Sequence, residues 1–225
     1  MASLTPDDYT VAWICALPLE AAVAHIMLDK THARPQHISD PNAYQFGELN
    51  GHYIVIAHLP NGIYGTVSAA TVVSRIRLTF PRLQFGLMVG IGGGVPSRRN
   101  DIRLGDVVVS KPSGKHGGVI QYDFGKAIQG GQLEPTGILN QPPQVLLTHL
   151  NQLEAKQIMG GEDTISKLIS GVLEQNPHMK ERFSPPEQHS DLLFTSSYTH
   201  DTGSDCAKCD KEQLVKRPAR DTRIP

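Results

Sequence analysis

Cysteine is scarce: three in 225 residues, too few for the disulfide frameworks of small secreted domains. Net charge is nearly absent as well. Lys and Arg total 21 against 22 Asp and Glu, so bulk charge draws the chain neither to nucleic acid nor to an anionic membrane surface. No apolar run is long enough to span a bilayer. The opening residues MASLTPDDYT lack the basic and apolar regions of a secretory signal. Together these absences point to a reducing intracellular compartment, and the expected location is cytoplasmic. What remains is ordinary globular material, 39% hydrophobic and 19% charged, in a length that suits one sizeable domain.

Glycine is concentrated where it matters. The stretch Leu83 to Pro112 holds a short apolar run, Leu87 to Val89, then GIGGG from Gly90 to Gly94. A second apolar run, Val107 to Val109, follows a Gly105-Asp106 turn. Glycines directly after a buried strand let a ligand approach the backbone closely. Open α/β sheets place their ligands at such strand ends. A tight turn alone would use the same residues, and the loop by itself leaves both readings open. It is not a dinucleotide fingerprint, because Val95 stands where the last glycine would be needed and Pro96 follows. Nor is it a P-loop, since no G-K-[ST] follows the glycines.

Taken in order, Tyr9 to Ala16 reads as a strand buried on both faces. Leu17-Pro18 opens a helix with an apolar stripe of Leu19, Ala22, Val23, Ile26 and Met27. Glu20 falls in its first turn. There a carboxylate complements the helix dipole, or it is aimed into a site at the end of the preceding strand. Thr31 to Asn42 reads as a loop. Tyr44 to Leu49 and His52 to His58 flank Asn50-Gly51, a hairpin signal. A helix over about Gly65 to Thr79 buries Val72, Val73, Ile76 and Phe80, and Pro81 ends it. Val119 to Phe124 reads as a strand, and Gly125 to Pro143 as a long excursion of the kind that forms lids or binding loops. Two further helices are expected. One starts near Pro143, with Leu146, His149, Leu150 and Leu153 on one face. The other starts near Asp163, with Ile165, Leu168, Ile169 and Val172. The result is an α/β fold: three layers, α/β/α, around a central mixed sheet. The strands ending near Ala16 and Gly90 should be neighbours, bringing Glu20 and Ile91 to Gly93 to one pocket.

Four segments carry a resemblance. ICALPLEAAV (Ile14 to Val23), LPNGIYGTVSAA (Leu59 to Ala70) and LMVGIGGGVPSRRNDIRLGDVVVS (Leu87 to Ser110) are similar to motifs of the nucleoside phosphorylase/nucleosidase superfamily, the third to its signature loop and the strand after it, which would hold Val107 to Val109. QYDFGK with TGILNQPP, and DLLFTSSYTH with CAKCD, resemble its fungal receptor-associated branch. The resemblance implies cleavage of the N-glycosidic bond of a purine-type nucleoside, with no cofactor. It also implies a small-molecule nucleoside as partner, allows a homo-oligomer, and points to NACHT, ankyrin or TPR regions in a longer protein. Glu20 matches the family glutamate that positions the attacking water. Ala16 and Leu17 match residues lining that pocket, and Ile91, Gly92 and Gly93 match the loop that holds the nucleophile near the ribose.

The chain departs from the family pattern in three places. Ile91 stands where a serine or threonine is usual. Met88 and Val89 stand where the phosphorylases place an arginine. With Glu20 repelling phosphate, hydrolysis is favoured over phosphorolysis. Arg98, Arg99 and Arg103 could reach an anion, but a basic turn is usually solvated, and they are not counted as site residues. The family's purine-contacting Ser-Gly loop, ribose-binding Met-Glu pair and leaving-group aspartate match nothing here. The chain therefore reads as one incomplete domain, with 1–8 and about 197–225 poorly ordered, and is expected to be inactive alone. The alternative is a non-catalytic nucleoside-sensing or interaction module. Finally, Cys206 and Cys209 form one C-x-x-C with His200, Asp201 and Asp205 nearby. A four-ligand zinc site commonly needs a second such pair, so no metal ligands are assigned. A thiol pair, or a disulfide under oxidising conditions, is the plainer reading.

Overall fold

The computed structural model describes residues 4–97, 100–128, 133–134, 136–159, 164–184, 186, 190–200 and 205–218. They fall into two compact units, residues 1–93 and 94–225.

The first unit is a mixed five-stranded sheet with one helix packed on each face. The strands are β1 (Val11–Cys15), β2 (Lys30–His32), β3 (Tyr44–Leu49), β4 (His52–His58) and β5 (Phe85–Met88). Their order in the sheet is β2-β3-β4-β1-β5. β1 is parallel to both β4 and β5, while β2, β3 and β4 are antiparallel. The sequence VAWIC explains the central place of β1: all five of its residues are buried, as a parallel strand covered on both faces requires. The β3–β4 hairpin turns at Asn50 (φ 49°) and Gly51 (φ 78°). Two successive residues at positive φ match the twist of the flanking strands, which is why Asn-Gly marks such turns.

Alternation along the strands divides the core in two. On one face Ala12, Ile14, Phe46, Val55 and Ala57 pack with Val72, Ile76 and Phe80, the last three from α2 (Thr66–Thr79) and its C-cap. Phe80 meets Tyr9, Tyr44 and Phe46 with ring centroids 5.2–6.0 Å apart. On the other face Val11, Trp13, Cys15, Ile54 and Ile56 pack against Ala21 and Ala24 of α1 (Pro18–Ile26). Here the expected stripe of α1 is off by one position. The residues pressed deepest into the sheet are the two alanines, whose small side chains let the helix lie close, and the larger residues flank them.

The three-layer arrangement agrees with the sequence reading, and one further detail of the first unit does not. Part of the expected loop Thr31–Asn42 joins a strand, since Lys30–His32 pairs with β3 at the sheet edge. Its polar residues suit an edge facing water, which hid it from a search for apolar alternation.

The second unit contains α3 (Gln144–Ile158), α4 (Thr164–Gln175), the short α5 (Lys180–Phe183) and a two-residue ladder of β6 (Lys126–Ala127) with β7 (Leu133–Glu134). Val107 to Val109 and Val119 to Phe124, both expected as strands, are irregular. Val107, Val108 and Val109 are 51%, 68% and 55% exposed. An apolar run becomes a strand only when a neighbour supplies its ladder, and none among the described residues does. His149 and Leu168, expected on buried faces, are exposed, and Leu173 is the buried position of α4. Of the expected poorly ordered tail, 197–200 and 205–218 are described. They include a 3-10 turn, Lys211–Gln213, and Phe194 bridges Leu214 just ahead of it. Arg217 donates to Asp191 at 2.7 Å and Asp101 at 3.4 Å, and Arg103 pairs with Asp101 at 2.6 Å. No helix among the described residues is long and apolar enough to cross a membrane.

Candidate functional site

β1 and β5 run side by side with Ile14 opposite Met88, and the Val89 N–H continues the ladder onto the Ile14 carbonyl at 3.3 Å. Both strands therefore release their chains at the same end of the sheet. β1 leads through Ala16 and the extended Leu17 into α1, with Pro18 as its first residue. β5 leads into the glycine loop. The site lies where these two exits meet.

Glu20 joins them. Its Oε2 accepts the Ala16 N–H at 2.7 Å and the Leu17 N–H at 2.9 Å. Its Oε1 accepts the Ile91 N–H at 2.8 Å. One carboxylate thus caps its own helix and holds the loop after β5. Gly90 makes this possible: a methyl group there would lie 2.8 Å from Glu20 Cδ, inside van der Waals contact. Gly92 and Gly93 are different. A methyl group on either would meet nothing within 4 Å among the described residues, so no described contact demands glycine there. Ile91 is 68% exposed and Met88 62%, which makes the rim of the loop apolar.

The electrostatics follow from the donors. Partial burial pushes the Glu20 carboxyl up, but the N–H groups of Ile91, Leu17 and Ala16 outweigh it and hold the group below its ordinary value. Glu20 is an ionised carboxylate at neutral pH. Beside it, burial first and the Glu20 charge second push the Cys15 thiol up to about 11, against a hydrogen bond with Trp13. Cys15 is therefore a protonated core residue and no nucleophile. His58 was missed from sequence. It ends β4 opposite Cys15, on the Ile54–Ile56 face that α1 covers, and burial lowers its pKa, so its imidazole is neutral at pH 7. The signal was available: alternation in HYIVIAH, carried one step past Ala57, puts His58 at the carboxyl end of a parallel strand.

Of the basic turn, Arg98 and Arg99 lie outside the described residues. Arg103, in the second unit, is engaged with Asp101 and with the Pro218 carbonyl at 2.6 Å. A cleft of about 600 Å³ in the second unit is lined by Lys115, His116, Val119, Ile120, Phe124 and Leu139 among others. It includes none of the candidate site residues and offers no converging acid and base, so its size alone assigns it nothing.

The class these features define is an α/β protein with a mixed five-stranded sheet and a carboxylate–glycine-loop junction at the carboxyl ends of its parallel strands. No protein-family model matches the chain. A curated fungal relative, the nucleotide-binding leucine-rich repeat (NLR)-like protein of Hyaloscypha variabilis, is 43% identical over 225 residues. The match covers 99% of this chain and 22% of the relative. Among solved structures the chain matches the 5′-methylthioadenosine/S-adenosylhomocysteine nucleosidase of Neisseria meningitidis in complex with methylthio-immucillin-A. That match has 24% identity and a TM-score of 0.43, over 68% of this chain and 60% of that one. The corresponding enzyme of Streptococcus pneumoniae with 8-aminoadenine matches at 21% identity and a TM-score of 0.42, over 64% and 58%. The chain thus spans about a fifth of the NLR-like relative and about three-fifths of each nucleosidase.

Proposed function

We propose that the first unit supplies the nucleophile side of a nucleosidase-type pocket, which cleaves the N-glycosidic bond of a purine-type nucleoside with water as the acceptor. One observation carries the reading. The Glu20 carboxylate sits at the joined ends of β1 and β5, anchored on Ile91 N–H, with space left open at Gly92 and Gly93. In this reading Glu20 positions the water, and Ala16, Leu17, Ile91, Gly92 and Gly93 line the substrate side. Glycine that nothing in the chain requires is what a closely approaching ligand would explain.

The chemistry suits the electrostatics. As the base departs, the ribose becomes oxocarbenium-like, and water adds late to a strongly electrophilic carbon. A carboxylate of depressed pKa is a weak base. Here it needs only to orient the water, take up its proton as the bond forms and stabilise positive charge on the sugar. Phosphate is the poorer acceptor. The N–H groups an anion would use at this strand–helix turn are already taken by Glu20, whose charge also repels it. The family's leaving-group aspartate and Met-Glu pair match nothing in this chain, so these residues alone are expected to bind nucleoside and not turn it over.

A second reading, a cytoplasmic nucleoside-sensing or interaction module without catalysis, rests on a different observation: nearly the whole chain matches 22% of an NLR-like relative. Both readings meet in one experiment. Residues 1–225 and the full-length relative are tested for purine release from methylthioadenosine, adenosine and inosine, with and without phosphate, and for nucleoside binding. The enzyme reading expects phosphate-independent release by the relative. Placing Gln at the position matching Glu20 should lower that release about 10²–10⁴-fold. Binding without release by the relative supports a nucleoside-sensing module. Phosphate-dependent release overturns water as acceptor, and absence of both binding and release overturns the enzyme and nucleoside-sensing readings and leaves an interaction module.

A further inference from the structure

His200, Cys206 and Cys209 present a ring nitrogen and two sulfurs that all lie within 4.8 Å of one another. From sequence, the C-x-x-C lacked its second pair. The fold supplies a third ligand in His200. The Cys209 N–H donates to the Cys206 carbonyl at 3.2 Å, closing the turn that aims both thiols one way. The Ala207 N–H donates to Asp205 Oδ1 at 3.0 Å, and Asp210 N–H donates to the Tyr198 hydroxyl at 2.8 Å. Tyr198 itself stacks on Phe194 at 5.3 Å. The two halves of the cluster are therefore fixed to each other apart from the ligands themselves.

We propose that His200, Cys206 and Cys209 bind a zinc-type divalent cation as a Cys2His site, with water or another donor completing the tetrahedron. Two thiolates with an imidazole form a donor set that prefers zinc over hard cations. The histidine is prepared for this role. Its Nε2 lies 3.1 Å from the Asp205 carbonyl, which can only accept, so Nε2 carries the proton and Nδ1 keeps its lone pair. A ligand histidine whose other nitrogen is tied to a carbonyl is the usual outer arrangement of metal sites. Binding releases the two thiol protons, and the dication is then balanced by two thiolates. The metal also has a structural task. Among the described residues, the segments it would join, around His200 and Cys206–Cys209, are held by the Phe194–Leu214 bridge with its flanking hydrogen bonds and by the Tyr198 and His200 contacts above. Cys209 is one of two buried hydrophobic side chains among the described residues of this unit. The proposal is independent of the nucleoside reading.

The test uses residues 1–225 purified under reducing conditions, stripped with chelator and titrated with Co²⁺. The expected result is a saturable thiolate-to-cobalt charge-transfer band that zinc displaces. The band should be lost in Cys206→Ser and Cys209→Ser, weakened in His200→Ala and kept in Cys15→Ser. In the wild-type chain, where no variant can misfold, zinc should slow alkylation of Cys206 and Cys209. No thiolate band, a band that survives Cys206→Ser, or alkylation unchanged by zinc overturns the site. So does a Cys206–Cys209 disulfide that forms in preference to metal binding under those conditions.

Discussion

In the first unit Tyr9, Val55, Ile56, Ala57 and Phe80 are wholly withdrawn from water. In the second, among the described residues, Leu173 and Cys209 alone are buried hydrophobics. The second unit is instead tied by charge, through Arg217 to Asp191 and Asp101 and through Arg103 to Asp101. The helices differ in the same way. α2 presses Val72 and Ile76 into the sheet, whereas α3 buries no residue. Hydrophobic burial is non-directional and additive over area, so the first unit has a reserve of stability that no single polar contact controls. An ion-pair lattice is directional, and each member removed takes a partner from the others. A metal site at His200, Cys206 and Cys209 would stand where a core is lacking, as staples do in small folds.

The comparison breaks most sharply at Phe80. Phe80→Ala removes a ring that contacts three others and sits at 0% exposure, and should cost about 3–5 kcal/mol. Leu168→Ala, at 60% exposure in α4, should change stability by less than about 0.5 kcal/mol. Denaturant unfolding of both variants checks this. Similar losses would mean that the second unit has a core comparable to the first.

Next comes the ion pair. Arg217 and Asp191 are 11% and 16% exposed at their side chains, and Arg217→Ala takes this arginine from Asp191 and leaves Asp101 with Arg103. The local loss should be about 2–4 kcal/mol, read as faster amide exchange over 191–217 with the exchange of β1 and β4 unchanged. High salt should spare this pair and weaken Lys111–Glu154, whose side chains are 55% and 39% exposed. Equal protection loss in β1 would make the two units one cooperative body.

A smaller effect is expected at Glu20, with a definite pH signature. Its folded pKa lies below the ordinary value of 4.5, so its stabilisation is complete above about pH 4.5. It disappears as pH falls through the depressed folded value. Glu20→Gln should cost about 1–2 kcal/mol at pH 7, at the low end for charged hydrogen bonds because the group is partly exposed. The gap to wild type should close in acid. A gap independent of pH between 7 and 3 would show that the carboxylate's charge does not hold the loop.

How much of this was legible depends on how local each signal was. β1, the Asn50-Gly51 hairpin and α2 follow from short-range pattern, and their limits in the structure lie within a residue or two of those read. The adjacency of Glu20 and the glycine loop was also legible, because both follow buried-type strands that a parallel sheet sets side by side. The tie from Glu20 to Ile91 N–H was not, since a side chain reaching across 71 positions leaves no periodic trace. β2 stayed hidden because edge strands are polar. Val107 to Val109 misled because apolar composition marks a strand only when a partner strand exists. The approach of His200 to Cys206 and Cys209 depends on how the chain turns between them, which spacing does not specify.

The smallest expected effect on stability separates fold from function most cleanly. A methyl group on Gly90 would collide with the Glu20 carboxylate, whereas one on Gly92 would meet nothing within 4 Å. Gly90→Ala should therefore force Glu20 off Ile91 N–H, and the variant should lose the acid-dependent stability just described. Gly92→Ala should leave unfolding within about 0.5 kcal/mol of wild type, since neither a positive φ nor a contact opposes it. If Gly92 is glycine because a ribose approaches the backbone there, that same silent variant should bind nucleoside more weakly, read by calorimetry beside wild type. Unchanged nucleoside affinity in Gly92→Ala would remove the loop from the binding site and leave the glycines as a turn. Reduced affinity with unchanged stability would tie the open space at Gly92 to a ligand, because a defect of folding would have appeared in both measurements.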